Sequence, residues 1–200
     1  AVIVLTAFKN PVIKKLDPSQ LEAACNALMM GFSSDPFQRW LMPDPTIYYK
    51  NFKKWTVNTC KQSFLNEGVY GDENNYGTAV WFTPEFDIDF TDVSETYEEI
   101  PKDRQVEAFK MFEEMVESRV RDAWYLEYLA VDPSKQGLGL GSSILKESLK
   151  VIDELGDAAY LESSNPQNMS LYERFGFRFV KKIQIGSSPQ INSMFREPKK

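Results

Sequence analysis

Gly137-Leu-Gly-Leu-Gly141 joins an apolar run of strand length, Trp124 to Val131, to a helix-like stretch, Ser142 to Leu155. Asp132-Pro133 closes the first run, because proline brings no donor to a ladder and favours a turn. Leu145, Leu149, Ile152 and Leu155 then recur at spacings of four, three and three, which is one stripe of a helix. Gly156 follows where a left-handed C-cap belongs. Glycines at a strand-to-helix junction expose backbone N–H groups under the positive end of the helix dipole and let a phosphate reach them, so this junction is a candidate anion site.

Two acids stand in runs that are otherwise apolar. Glu127 lies inside Trp124–Val131, and Glu162 follows Ala158-Ala-Tyr-Leu161. A carboxylate buried in such a strand without a partner is costly, titrates high and is a candidate for proton transfer. Alternating faces would put Glu127 with Tyr125 and Leu129, and Glu162 with Tyr160. The chain contains no histidine, so a Ser-His-Asp or Cys-His nucleophile and a histidine-type zinc site are excluded, and two cysteines do not make a four-cysteine site. A general base must therefore be a carboxylate, lysine, tyrosine or bound water.

The type of phosphate ligand follows from the loop. A Walker loop needs Lys-Ser/Thr after its last glycine, and here the helix opens with Ser142-Ser143; neither Gly137 nor Gly139 starts a G-x-G-x-x-G/A match. What remains, Gln136-x-x-Gly139-x-Gly141, resembles the acyl-CoA loop of the GCN5-related N-acetyltransferase (GNAT) family. A second block strengthens the resemblance. Tyr160-Leu-Glu-Ser-Ser-Asn-Pro-Gln-Asn-Met-Ser-Leu-Tyr-Glu-Arg-Phe-Gly-Phe177 is similar to the next strand and helix of that family, and its wording is nearest to the puromycin N-acetyltransferase branch. The resemblance is specific over about 124–180 and general before residue 120.

The resemblance implies an acetyl-CoA site. Backbone groups of Leu129, Ala130 and Val131 would pair with the pantetheine arm, and backbone N–H groups of Gln136, Gly137, Leu138, Gly139, Leu140, Gly141 and Ser142 would hold the pyrophosphate. Asn168 falls where the family binds pantetheine or phosphate; it could equally cap the helix that begins near it. Tyr172 falls where the family places a donor for the leaving thiolate, or it packs beside Leu171 and Phe175. Glu162 occupies the position of a catalytic glutamate in some members. Glu127 is the second candidate base, and either acid could instead make a structural hydrogen bond across a splay between the two strands or bind the acceptor. Phe32, Phe37, Trp40, Trp81 and Tyr125 are the aromatic candidates for an acceptor pocket, with the core as their alternative place.

These residues need a scaffold. Val12–Leu16 reads as a first strand; Val2–Phe8 is a strand or an irregular arm. Asp17-Pro18-Ser19-Gln20 is a capping-box start for a helix to about Phe32. A helical turn over Phe37–Met42, a helix over Thr46–Asn66 and a hairpin of strands 68–71 and 77–82 around Asp72-Glu-Asn-Asn75 follow. Glu85–Glu99 reads as an acidic loop. Pro101–Arg121 reads as a helix with Val106, Phe109, Phe112, Val116 and Val120 as its apolar stripe. After the motif block come strands at 178–185 and 190–195. This is an α/β chain with helices on both faces of a mixed sheet; the resemblance makes the sheet mostly antiparallel, with six or seven strands. One domain over 1–200 is expected, with acceptor-side helices at about 17–66, an insertion at about 84–121 and the CoA-binding core at about 124–180.

Two hundred residues suit one domain that buries roughly 70% of its unfolded surface. The net charge of −6 argues against nucleic acid as a partner and suits a cationic amine. No apolar run approaches the roughly 20 residues that span a bilayer, and Ala1–Leu5 is too short for a signal peptide. Two cysteines point to a reducing compartment, here the cytoplasm. The expected activity is acetyl-CoA-dependent acetylation of a small-molecule amine by direct attack, with no metal. A protein or peptide N-acetyltransferase, a non-catalytic acyl-CoA-binding protein and, more distantly, a nucleotide-binding module are the alternatives. Acyl-chain preference and oligomeric state are left open.

Overall fold

The computed structural model describes residues 11–199; the segment Val2–Phe8 lies outside them. A seven-stranded sheet runs through the molecule in the order β1-β2-β3-β4-β5-β7-β6. Its strands are β1 (Ile13–Lys15), β2 (Val69–Asp72), β3 (Gly77–Phe82), β4 (Ala123–Val131), β5 (Ala158–Ser163), β6 (Arg178–Ile183) and β7 (Ile191–Arg196). Only β4 and β5 are parallel; the other neighbours are antiparallel.

One face is covered by α1 (Leu21–Gly31), α2 (Pro36–Leu41), α3 (Pro45–Phe64), a 3-10 stretch (Thr91–Glu99) and α4 (Gln105–Ser118), around a core that includes Phe52, Trp55, Tyr128 and Tyr160. The other face carries α5 (Leu140–Leu155) and α6 (Met169–Arg174), around Trp81, Leu126, Leu145 and Phe177. The expected fold class is what the chain adopts.

Three Asp-Pro starts set the beginnings of the helices that precede β2. Asp17 accepts from Ser19 N while Gln20 reaches back to the Asp17 backbone, the expected capping box, but the first turn is 3-10 before α1 begins. Asp35 and Asp44 cap α2 and α3 through pairs of backbone N–H groups, with proline at the first helical position. A Cβ on Gly31 would come within 2.6 Å of Ala130 Cβ, so glycine there lets the end of α1 lie directly on β4. The hairpin turn is held by Asp72, whose carboxylate accepts from the N–H groups of Asn74, Tyr76 and Gly77.

Two stretches differ from the sequence reading. Glu85–Glu99 is not all loop: Thr91–Glu99 turns as 3-10 helix with Val93 and Thr96 buried. Thr96 is held by the Trp55 indole, which donates to it at 2.6 Å across 41 residues, a contact no local pattern signals. The next helix is shorter than expected, and its buried face is Ala108 and Met111 rather than the stripe of larger residues. Val106, Phe109 and Val116 stay exposed, and Phe112 is partly buried.

Candidate functional site

Strands β4 and β5 pair from Ala123↔Ala158 to Leu126↔Leu161 and then part. Glu127 and Glu162 are the first residues beyond the last pair, one on each strand. A cavity of about 1180 Å³ opens at this parting and is lined by both glutamates.

A bulge aims Glu127. Val80 pairs with Tyr128 and Trp81 with Leu126, so Glu127 is the extra residue of β4 against β3. The bulge corrects the alternation expected from sequence: Tyr125 and Tyr128 both face the α1–α4 side, whereas Leu129 packs on the α5 side. Glu162 does share the face of Tyr160, as expected from the unbroken pairing of β5 with β7.

Both carboxylates titrate above the ordinary range. Burial is the main cause for Glu162, and the negative charge of Glu127 adds to it; the hydroxyls of Tyr125 and Tyr160 and the charge of Arg119 oppose it, leaving a value of about 7. Glu127 is also raised by burial, against the Tyr125 and Tyr128 hydroxyls and Arg119. The Tyr125 hydroxyl donates to Glu162 Oε2 at 2.6 Å. The Arg119 guanidinium lies over the Tyr125 ring, 4.4 Å from its centroid, and its buried Nε has no hydrogen-bond partner among the described residues.

At one end of the cavity is the glycine loop. Gly137 and Gly139 have φ of 74° and 84°, a left-handed backbone that disfavours side chains, and a Cβ added to either meets nothing within 4 Å. The space above these backbone atoms is open. Helix α5 starts at Leu140, two residues earlier than expected, and its first turn bond runs from Ser143 N to Gly139 O. The N–H groups of Leu140, Gly141 and Ser142 therefore have no acceptor within the helix. Gly156 is the left-handed C-cap expected for it, although Leu155 is exposed and Leu140 and Ile144 take its place on the buried face. Gln136 donates through Nε2 to Val131 O at 3.0 Å and ties the loop to the strand. From Leu129 to Val131, β4 pairs among the described residues with β3 only, and its other edge faces the cavity.

The remaining expected residues divide. Phe32, Phe37, Tyr125, Ala130, Asn168 and Tyr172 line the cavity. Asn168 makes no side-chain cap to α6; Asn165 caps the short turn before it instead. Tyr172 packs against Phe177 at 6.0 Å, and burial, with the charge of Asp35, raises its hydroxyl. Leu138, Trp40 and Trp81 do not reach the cavity. Leu138 is on the outside of the loop, Trp81 is fully buried on the α5 side, and Trp40 stacks on Phe37 and donates to Ser187 Oγ at 3.3 Å.

Among the cavity residues that escaped the sequence reading, Arg119 and Asp35 carry charge. Arg119 follows α4, and only its place at the end of that helix could have marked it. Asp35 caps α2 by accepting from Phe37 N and Gln38 N, and it also accepts from the Ser164 hydroxyl just after β5. It thus joins the start of α2 to the motif block across 129 residues.

Residues 40–177 match the acetyltransferase (GNAT) family. The chain belongs to this family. The match agrees with the expected class, an acyltransferase, and establishes the family rather than a branch of it. An uncharacterized N-acetyltransferase of Schizosaccharomyces pombe is 32% identical over 88 residues, which is 42% of this chain; the match spans 36% of that relative's length, about a third. Among solved structures, a histone acetyltransferase and related acetyltransferase from Corynebacterium glutamicum superposes with a TM-score of 0.68 at 21% identity, covering 96% of this chain and 98% of that one. An agmatine N-acetyltransferase gives 0.68 at 12% identity over 94% and 99% of the two chains. Arylalkylamine N-acetyltransferase 2 from Aedes aegypti gives 0.65 at 12% identity, again over 94% and 99%. At these identities the likeness is one of GNAT fold. Among the described residues no helix is long and apolar enough to cross a membrane.

Proposed function

We propose that this GNAT chain transfers an acetyl group from acetyl-CoA to a small-molecule primary amine by direct attack in a ternary complex. The observation that carries this reading is the single cavity that runs from the glycine loop, past Glu162, to an aromatic chamber under α1–α4. In this reading 124–180 holds CoA and the acceptor side is built from 17–66 and 84–121, all within one domain over 1–200. The two thiols, Cys25 and Cys60, are buried and unlinked, in keeping with a cytoplasmic setting.

The loop suits a pyrophosphate. It offers free N–H groups at a helix N-terminus and open space over two left-handed glycines. The unpaired edge of Leu129–Val131 suits an extended arm that can pair with a strand. Acetyl-CoA would supply the activated acyl thioester.

The residues of the chain divide the proton work. An amine is mostly protonated near neutral pH and must lose a proton before it attacks. Glu162, titrating near 7, takes that proton directly or through one water. The new bond joins nitrogen to the acyl carbon as the carbon–sulfur bond breaks. Tyr172 donates its hydroxyl proton toward the departing sulfur, and the second proton that the nitrogen loses as the amide forms returns to Tyr172 through solvent. Glu127 offers a second negative charge that attracts the ammonium form of the acceptor.

The test is a panel of amines incubated with the protein and acetyl-CoA, with acetylated product read by mass spectrometry and thiol release followed in parallel. Acetylated small amine is the expected product. CoA binding without thiol release would assign the chain to non-catalytic binders. Preference for peptides would assign it to protein acetylation.

A further inference from the structure

We propose that the acceptor is an amine with an extended apolar body, alkyl or aryl, that lies along α4. This rests on the reading above and narrows its substrate class.

The inference comes from the inverted burial of α4. Its small face packs on the protein through Ala108 and Met111, while Phe109 and Val116 are 49% and 69% exposed. These two, with Phe112, line the main cavity and also an adjoining shallow groove of about 350 Å³ edged by Glu113 and Glu117. One apolar wall therefore runs from inside the site to the surface, and none of the described residues covers it. Its inner end leads to the carboxylates: Phe112 and Phe109 contact Tyr97 at 5.5 and 6.3 Å between ring centroids, and the Tyr97 hydroxyl feels the charge of Glu127.

A ligand that satisfies both ends is cationic at the head and apolar beyond it. The head meets Glu127 and Glu162, and the body covers rings that water would otherwise contact. A second cation, as in agmatine or a polyamine, would have to lie against those rings to reach Glu113 and Glu117 at the outer edge, which strips its hydration.

The experiment compares kcat/KM for ethylamine, hexylamine, phenylethylamine and agmatine with acetyl-CoA and the full chain. Each methylene that lies on the wall should raise kcat/KM by up to about fourfold, and both apolar amines should exceed agmatine. The Phe109→Gln, Val116→Gln double variant should reduce the hexylamine-to-ethylamine ratio at least tenfold. Val106→Gln, on the same helix and equally exposed but outside cavity and groove, should leave that ratio unchanged. A flat response to chain length, a preference for agmatine, or an equal effect of Val106→Gln would overturn the inference while amine acetylation itself stands. Acetylation of no amine at all would instead remove the function proposed above.

Discussion

The Tyr125 hydroxyl donates to Glu162 Oε2 at 2.6 Å, joining β4 to β5 one residue beyond the point where their pairing ends. The bond spans the mouth of the splay. It holds a carboxylate that burial pushes toward neutrality, and it keeps that carboxylate ionisable rather than locked in its acid form. Arg119 lies over the ring of the same tyrosine.

Arg119 should tune the base without touching the reacting atoms. Its positive charge favours ionised Glu162, against burial and Glu127, while the Tyr125 hydroxyl donates to the carboxylate from the neighbouring strand. Arg119→Met removes the charge and keeps apolar bulk. The Glu162 value should rise, so the acidic limb of the kcat profile should move to higher pH, and Arg119→Lys should move it part of the way back. A limb that stays in place in Arg119→Met would leave Arg119 with packing alone.

The glycine loop should carry CoA affinity. Gly139→Asp puts a side chain and a negative charge where the proposed mechanism seats the pyrophosphate, and CoA affinity should fall at least tenfold, about 1.4 kcal/mol. Gly139→Asn tolerates the left-handed backbone and adds the same bulk without charge. It should bind more tightly than the aspartate variant. Equal, undiminished affinity in both by isothermal titration would remove the loop from the cofactor site.

Tyr172→Phe keeps the ring contact with Phe177 and removes only the donor. Turnover should drop roughly 10²-fold or more, with CoA affinity and the thermal midpoint little changed. Normal turnover would assign Tyr172 to packing beside Phe177.

Much of this site could be read from the chain because its signals are local. The glycine loop, the Gly156 cap, the Asp17–Gln20 box and the Asp72 turn each declare themselves within a few residues. The rest depends on contacts far apart in sequence. The α4 stripe has the periodicity of a core face, yet periodicity is the same for a core and for a cavity wall, and Phe109 and Val116 belong to the wall. Alternation placed Leu129 with Glu127 and Tyr125; a bulge set by pairing with Val80 and Trp81 broke it. Trp81 looked as available as Phe37, and only its place on the α5 side removes it from the cavity. Asp35 caps α2 ahead of Pro36, and its bond to Ser164 joins segments that no motif links.

The most direct test of the account is the pH dependence of turnover in Glu162→Gln beside Glu127→Gln. In the proposed mechanism ionised Glu162 is the working form, so wild-type kcat should rise with pH through a limb near 7. Glu162→Gln keeps size and hydrogen bonding but loses basicity, and turnover should fall roughly 10²–10⁴-fold. That limb should vanish, leaving a slow rise as free amine is formed at higher pH. Glu127→Gln removes the neighbouring charge that holds Glu162 up. It should shift the limb to lower pH and raise the amine KM while keeping most of the turnover. The opposite pattern, in which Glu127→Gln abolishes turnover and its acidic limb while Glu162→Gln keeps both, would contradict the assignment and move the base to β4.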